Sequence, residues 1–367
     1  MKFTISREQL LKPLQQVAGV VERRQTLPVL SNVLMVLDGN RLSLTGTDLE
    51  VELVATIELE QEFPASEITI PAKKLLDICK ALGDQSDITF QQDDQKILVK
   101  SGRSRFSLAT LPANEFPNLE HTDGAVEFDI NQNYLKQLID RTGFAMAQQD
   151  VRFYLNGLML ELSQNKLRAV ATDGHRLALC DAQVQLDVEQ SNQYIVPRKG
   201  ILEVSRLFTD TDTDVHVSIS SNHICVETEF LRFTSKLVDG KFPDYQRVLP
   251  KQGDKIVIGD KDEMKKSFSR VAILSNEKYR GVRIKLESGN LKTVANNPEQ
   301  EEAEENIAID YEGDQLEIGF NVSYLLDVLN VIKSDQVNIA LSDSNSSALV
   351  MDNEDDSALY VVMPMRL

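Results

Sequence analysis

Ile70-Pro-Ala-Lys-Lys-Leu-Leu-Asp-Ile78 reads as a strand end running into a helix, and the chain says it again as Val196-Pro-Arg-Lys-Gly-Ile-Leu-Glu-Val204. A looser copy follows at Phe320-Asn-Val-Ser-Tyr-Leu-Leu-Asp-Val328. The offsets are 126 and 124 residues. A second marker keeps step in Leu44-Thr-Gly-Thr-Asp48, Val170-Ala-Thr-Asp173 and Val294-Ala-Asn-Asn297. A third pairs Phe3-Thr-Ile-Ser-Arg7 with Phe128-Asp-Ile-Asn-Gln132 and, more weakly, with Ile258-Gly-Asp-Lys-Asp262. Repeats this long are domains rather than solenoid units. The 367 residues therefore divide as 1–125, 126–253 and 254–367, with turn-rich boundaries at His121-Thr-Asp-Gly-Ala125 and Pro250-Lys-Gln-Gly-Asp254.

Each repeat predicts two helices, over 6–18, 72–82, 131–142, 198–208, 261–272 and 322–333. Between them, Val282-Arg-Ile-Lys-Leu-Glu287 alternates apolar and charged residues, turns at Ser288-Gly-Asn290 and resumes at Leu291. Asp38-Gly-Asn40 and Ser163-Gln-Asn165 mark the matching hairpins. Helix pairs with antiparallel strands make the expected class α+β.

Composition narrows function. No apolar run approaches the 18 residues of a membrane span, and the first residues lack a signal peptide's apolar stretch. Cys79, Cys180 and Cys225 are odd in number and widely spaced, which points to reduced thiols in a cytoplasm. The net charge of −18 argues against a polyanionic partner, but the average hides a split. The six helix windows hold 15 Lys/Arg against 7 Asp/Glu, and the remainder holds 24 against 50. Basic helices on an acidic body are the useful signal; helix propensity of Lys and Arg is the competing account.

No phosphate-binding glycine loop, CxxC or HExxH is present, so no cofactor or metal is expected. The acidic run Glu299–Glu305 lacks the spacing of a calcium loop. It faces a basic counterpart in Lys100–Arg105, and complementary patches on the first and last repeats suit head-to-tail association. Among the histidines only His175, two residues from Asp173, sits where a catalytic pair could form, and no nucleophile completes it. The chain ends Tyr360-Val-Val-Met-Pro-Met-Arg-Leu367, apolar to the last residues. Val361 and Val362 suit a closing edge strand, whereas methionine suits adaptable peptide-binding surfaces.

Taken in order, Lys12-Pro-Leu-Gln-Gln16, Arg103–Leu108, Val151–Asn156, Thr172–Leu177, Phe233–Asp244 and Met363–Leu367 resemble the bacterial sliding clamps, the β subunit of DNA polymerase III. The resemblance spans the whole chain. It implies a homodimeric, head-to-tail ring of six domains whose helices line a hole around duplex DNA. Such a ring catalyses nothing and tethers DNA polymerases, the clamp loader and other proteins carrying clamp-binding peptides.

Carried over residue by residue, the resemblance implies DNA contacts at Arg24, Lys73, Gln149, Tyr154, Arg198, Lys199 and Arg206. It implies a peptide groove of Leu155, Thr172, Gly174, His175, Arg176, Leu177, Pro243, Arg247 and Val248. The rest of the groove would be Asn321, Tyr324, Ser347, Val361, Met363, Met365 and Arg366. The subunit contact would set Phe106 and Leu108 against Ile273 and Leu274, with Lys74, Arg103 and Arg105 paired to Glu299, Glu302 and Glu305. Exposed ion pairs contribute about 0–1 kcal/mol each and a buried large apolar side chain about 1.5–3, so the apolar centre should set affinity. Two other readings stand beside this one: a clamp-like paralogue that binds an inhibitor, and a three-domain enzyme using Asp173 and His175.

Overall fold

Successive repeats are sewn together by their strands. In the computed structural model, which describes residues 1–21, 27–117, 119, 126–186, 190–207, 212–250 and 253–366, the first repeat opens with β1 (Lys2–Ser6), α1 (Arg7–Val20), β2 (Asn32–Thr47) and β3 (Val51–Pro71). It closes with α2 (Ala72–Ala81), β4 (Asp87–Asp93), β5 (Lys96–Ser101) and β6 (Ser104–Ala109). The second carries β7 (Val126–Asn131), α3 (Gln132–Thr142), β8 (Gly157–Ser163), β9 (Lys166–Thr172), β10 (Arg176–Gln183) and β11 (Asn192–Pro197). After α4 (Arg198–Leu207) come β12 (Asp214–Ile219), β13 (His223–Glu227) and β14 (Leu231–Lys236). The third begins with β15 (Lys255–Asp260), α5 (Lys261–Val271), β16 (Gly281–Glu287), β17 (Asn290–Asn296), β18 (Glu302–Ala308) and β19 (Leu316–Asn321). It ends with α6 (Val322–Val331), β20 (Gln336–Leu341), β21 (Ala348–Asp352) and β22 (Ala358–Val362). The segment His121–Ala125 and Arg24 lie outside the described residues.

The six helices fall within two residues of their predicted windows, because apolar spacing and caps agree. Ser6 accepts from the Gln9 amide at 3.3 Å, Asp260 from Glu263 at 2.7 Å and Asn321 from Ser323 at 2.9 Å. These side chains satisfy amides that a helix start leaves orphaned. Each helix then buries one face: Leu10, Leu14 and Val17 in α1, Leu75 and Cys79 in α2, Met264, Phe268 and Val271 in α5. Pro13 sits inside α1, which continues through it to Val20.

The caps also correct one alignment. Ser6 and Asp260 are equivalent, so Phe3 matches Val257 rather than Ile258. Both are buried, and a one-residue slip would have turned the apolar face outward.

The described residues form four antiparallel sheets. One is β1-β4-β5-β6, and its counterpart is β18-β17-β16-β19. The eight-stranded sheet β11-β8-β9-β10-β22-β21-β20-β15 joins the second repeat to the third where β10 pairs with β22. The six-stranded sheet β2-β3-β14-β13-β12-β7 joins the first to the second where β3 pairs with β14. The registers agree: Phe233 lies opposite Leu53 in one seam, and Tyr360 opposite Ala178 in the other. Long β2 and β3 replace the paired short strands of the later repeats, with register shifts around Gly39, whose φ of 57° suits glycine.

One finding departs from the sequence reading. The C-terminal strand β22 is no edge: it lies between β10 and β21. Chain contacts also group into two units, Met1–Gln132 with Leu202–Leu237, and Asn133–Ile201 with Val238–Leu367, because each large sheet holds its own seam.

Candidate functional site

A cavity of about 170 Å³ opens beside the β10–β22 seam. The loop Thr172–Arg176 builds one wall. Asp173 accepts the amides of His175 (2.9 Å) and Arg176 (3.0 Å), while Thr172 Oγ1 donates to the Arg176 carbonyl at 2.6 Å. Gly174 makes the turn possible with φ of 87°, and a side chain there would also meet the Arg152 guanidinium at 3.1 Å. The Met363 amide donates to the His175 carbonyl at 2.9 Å, which carries the chain out of β22 along the cavity rim.

Arg176 is the hub of the second wall. Its guanidinium lies 4.6 Å from the Tyr324 ring centre and 5.3 Å from that of Phe144, donates to the Phe144 carbonyl at 2.9 Å, and pairs with Asp173 (3.2 Å) and Asp327. His175 stacks on Tyr324 with ring centres 6.3 Å apart. Burial pushes the Tyr324 hydroxyl above its ordinary range. Asp150 grips Arg152 at 2.9 Å, and that hydrogen bond holds the Asp150 carboxyl at about 2. The cavity is thus an apolar floor ringed by fixed polar groups, a form that takes an apolar anchor and orients its backbone.

Ten of the expected groove residues line it: Leu155, Thr172, Gly174, His175, Arg176, Leu177, Pro243, Val248, Val361 and Met363. Six stand outside the lining. Arg247 pairs with Asp244 at 2.7 Å and is largely exposed; Asn321 caps α6; Ser347, Met365 and Arg366 do not reach the cavity wall. Tyr324 acts through His175 and Arg176. The sequence reading missed Arg152, Asp244 and Tyr245 as lining residues, and no periodicity marks them.

Tyr154 also belongs to this wall. Expected at DNA, it lines this cavity, because the short 3-10 turn Phe153–Leu155 buries Leu155 and turns the Tyr154 ring onto the core of the eight-stranded sheet. Asp173 is likewise no orienter of a catalytic base: its oxygens are taken by two amides and Arg176.

Of the other expected DNA positions, Lys73 and Gln149 are exposed and Arg198 donates to the Met146 carbonyl at 3.3 Å. Lys199 lies on the same first turn of α4, half-buried. Arg206 is tied down: it pairs with Glu203, donates to the Gln16 carbonyl at 3.2 Å, and lies where a side chain at Gly19 would stand. At the expected subunit contact, Ile273 is 76% exposed, Leu274 and Phe106 are half-buried, and Lys74, Arg103, Arg105, Glu299 and Glu302 are exposed. Leu108 faces its own core at 9% exposure, so it cannot supply much new apolar contact. Glu305 is held by Arg270 of α5 at 2.5 and 2.6 Å, and this bond lowers its carboxyl.

Comparison with known proteins decides the family. The family described as DNA polymerase III beta subunit matches through its N-terminal domain at residues 1–120, its central domain at 129–244 and its C-terminal domain at 246–366. The chain belongs to this family of sliding clamps. It is 62% identical to the beta sliding clamp of Pseudomonas putida and 52% identical to that of Escherichia coli K12, each over 367 residues and the full length of both chains. The crystal structure of the DNA polymerase III subunit beta from Pseudomonas aeruginosa superposes with a TM-score of 0.98 at 61% identity, covering all of both chains. A second structure from that organism, bound to griselimycin, gives 0.98 at 62% identity with the same coverage. As a clamp, the protein is a processivity subunit of the replicative polymerase and not an enzyme. No helix among the described residues is long and apolar enough to cross a membrane.

Proposed function

We propose that two copies of this chain close head to tail into a ring that encircles duplex DNA in the cytoplasm, with clamp domains at 1–125, 126–253 and 254–367. Its groove around His175 and Met363 takes peptides of polymerases, of the clamp loader that opens the ring, and of other replication and repair proteins. One observation carries the reading. Strand β6 is the repeat equivalent of β14 and β22, and β18 is the equivalent of β3 and β10. In two places such strands pair and sew neighbouring repeats together; of these six equivalent strands, only β6 and β18 end their sheets among the described residues. An edge strand demands a partner or protection, and a heterologous contact that closes after two copies gives a ring.

The internal seams supply the register. Phe106 corresponds to Phe233 and Tyr360, which face Leu53 and Ala178, so Phe106 is set opposite the partner's Ala303. Exposed Ile273 then gains cover, with Leu274 beside it. Lys74, Arg103 and Arg105 steer towards the acidic segment, where Glu299 and Glu302 are exposed and Glu305 is shared with Arg270.

DNA is held loosely. The basic helices, with Lys73, Gln149, Arg198 and Lys199 on or beside them and Arg24 in the first repeat, meet phosphates and read no sequence. Multi-angle light scattering tests the ring: it should give twice the chain mass at micromolar concentration, and a monomer there would contradict the proposal.

A further inference from the structure

A second cleft, of about 460 Å³, lies far from the groove in sequence, between β1 and the Leu59–Phe63 stretch of β3. Its walls are two strand edges that no strand covers among the described residues. Met1 accepts from the Gln92 amide at 2.9 Å, which fixes the bonded pairs of the β1–β4 ladder at Met1, Phe3 and Ile5. The backbone groups of Lys2 and Thr4 therefore point away from β4, into the cleft.

The third repeat shows how such a cleft is filled. There Ile258, the equivalent of Thr4, donates to the Asp310 carbonyl at 3.1 Å and accepts the Asp310 amide at 2.8 Å, while Ile309 and Tyr311 are buried. Gly259 stands beside this contact, where a side chain would be 3.3 Å from Ile309 and 2.3 Å from Met264. The first repeat has Ile5 at this place, buried, and Leu59 and Gln61 where the third has Ile309 and Tyr311. Among the described residues no bridge joins Thr4 to that stretch, so the outer edge of β1 is open. Phe3 and Phe63 meet edge-on at 6.2 Å and form an apolar floor.

We infer that this cleft takes an extended basic peptide from a partner protein, added as a strand along the outer edge of β1. Main-chain bonds to Lys2 and Thr4 would replace those that Asp310 makes to Ile258. Alternate side chains of the peptide enter between Phe3 and Phe63, and the others meet a rim where exposed Glu60 and Asp87 outnumber Lys2, with exposed Glu62 next along β3. That charge balance selects lysine or arginine at the outward positions.

The test uses the full chain, isotope-labelled for NMR, titrated with acetyl-Lys-Val-Lys-Phe-Lys-Val-amide and with the same peptide carrying Glu for Lys. The basic peptide should shift the amides of Lys2, Thr4, Gln61 and Phe63 saturably, and the acidic one should not. Glu60→Lys with Glu62→Lys, both on the surface, should weaken the basic peptide about tenfold, the scale of one or two exposed ion pairs turned repulsive. Shifts confined to the His175–Met363 groove, equal binding of both peptides, or no shift along β1 would each overturn the inference.

Discussion

Arg176 shows how one side chain can hold a binding wall together. Its plane stacks between Phe144 and Tyr324 while its edges serve two carboxylates and a carbonyl. Lysine keeps the charge but lacks the plane and the fork. Arg176→Lys should lose about 1–3 kcal/mol of stability in urea unfolding and weaken groove peptides, the sum of a stacked cation and its charged hydrogen bonds; parental stability would contradict the hub. Gly174→Ala should cost about 1–2 kcal/mol, because φ of 87° strains any other residue and Arg152 stands in the way. Residue types at Thr172–Leu177 marked this place in the sequence, but their roles were only partly legible. Asp173 next to His175 looks like a catalytic pair until the loop shows its oxygens taken by amides. The placements of Tyr154 and Arg206 were not legible either: a short turn sets one at the cavity and a missing Cβ at Gly19 makes room for the other, and neither leaves a periodic trace.

At the scale of elements, the β10–β22 seam is locked from the side by Arg141 of α3. It donates to Asp355 at 2.6 Å and to Ser357 at 2.7 Å in the turn before β22. Burial pushes the Asp355 carboxyl up, but the bonds from Ser357 and Arg141 outweigh it and hold it at about 2. A lowered folded-state pKa contributes stability above the ordinary carboxylate value near 4 and loses it as pH falls towards 2. Asp355→Asn should therefore cost about 1–3 kcal/mol at neutral pH, less than a fully buried pair because Asp355 is partly solvated, and the gap to the parent should narrow below about pH 4. A gap independent of pH in denaturant melts would contradict the lock. Removing Met363–Leu367 should abolish binding of polymerase-derived peptides in calorimetry while β22 stays paired; unchanged affinity would sink the groove assignment. Helices and hairpins were legible because cap, period and turn agree locally. That β22 lies inside a sheet was not, since strand order is set by partners distant in sequence.

For the whole molecule, triplication and the charge split were readable from the sequence, and the pairing of repeats was not. In the proposed ring, the two seams inside one chain are matched by a third between chains. Ile273→Ala with Leu274→Ala should convert the dimer to monomers in light scattering, since truncating covered apolar side chains costs about 2–5 kcal/mol each; a variant that stays dimeric would move the interface elsewhere. With a net charge of −18, direct affinity for linear duplex should be weak and should fall steeply with salt, as counterion release requires. Topology must then do the holding. The most direct measurement loads labelled protein onto nicked circular plasmid and follows it by gel filtration before and after the plasmid is cut. The ring predicts retention on the circle through high salt and loss on linearisation as the protein slides off the ends; equal retention on circular and linear DNA would contradict it.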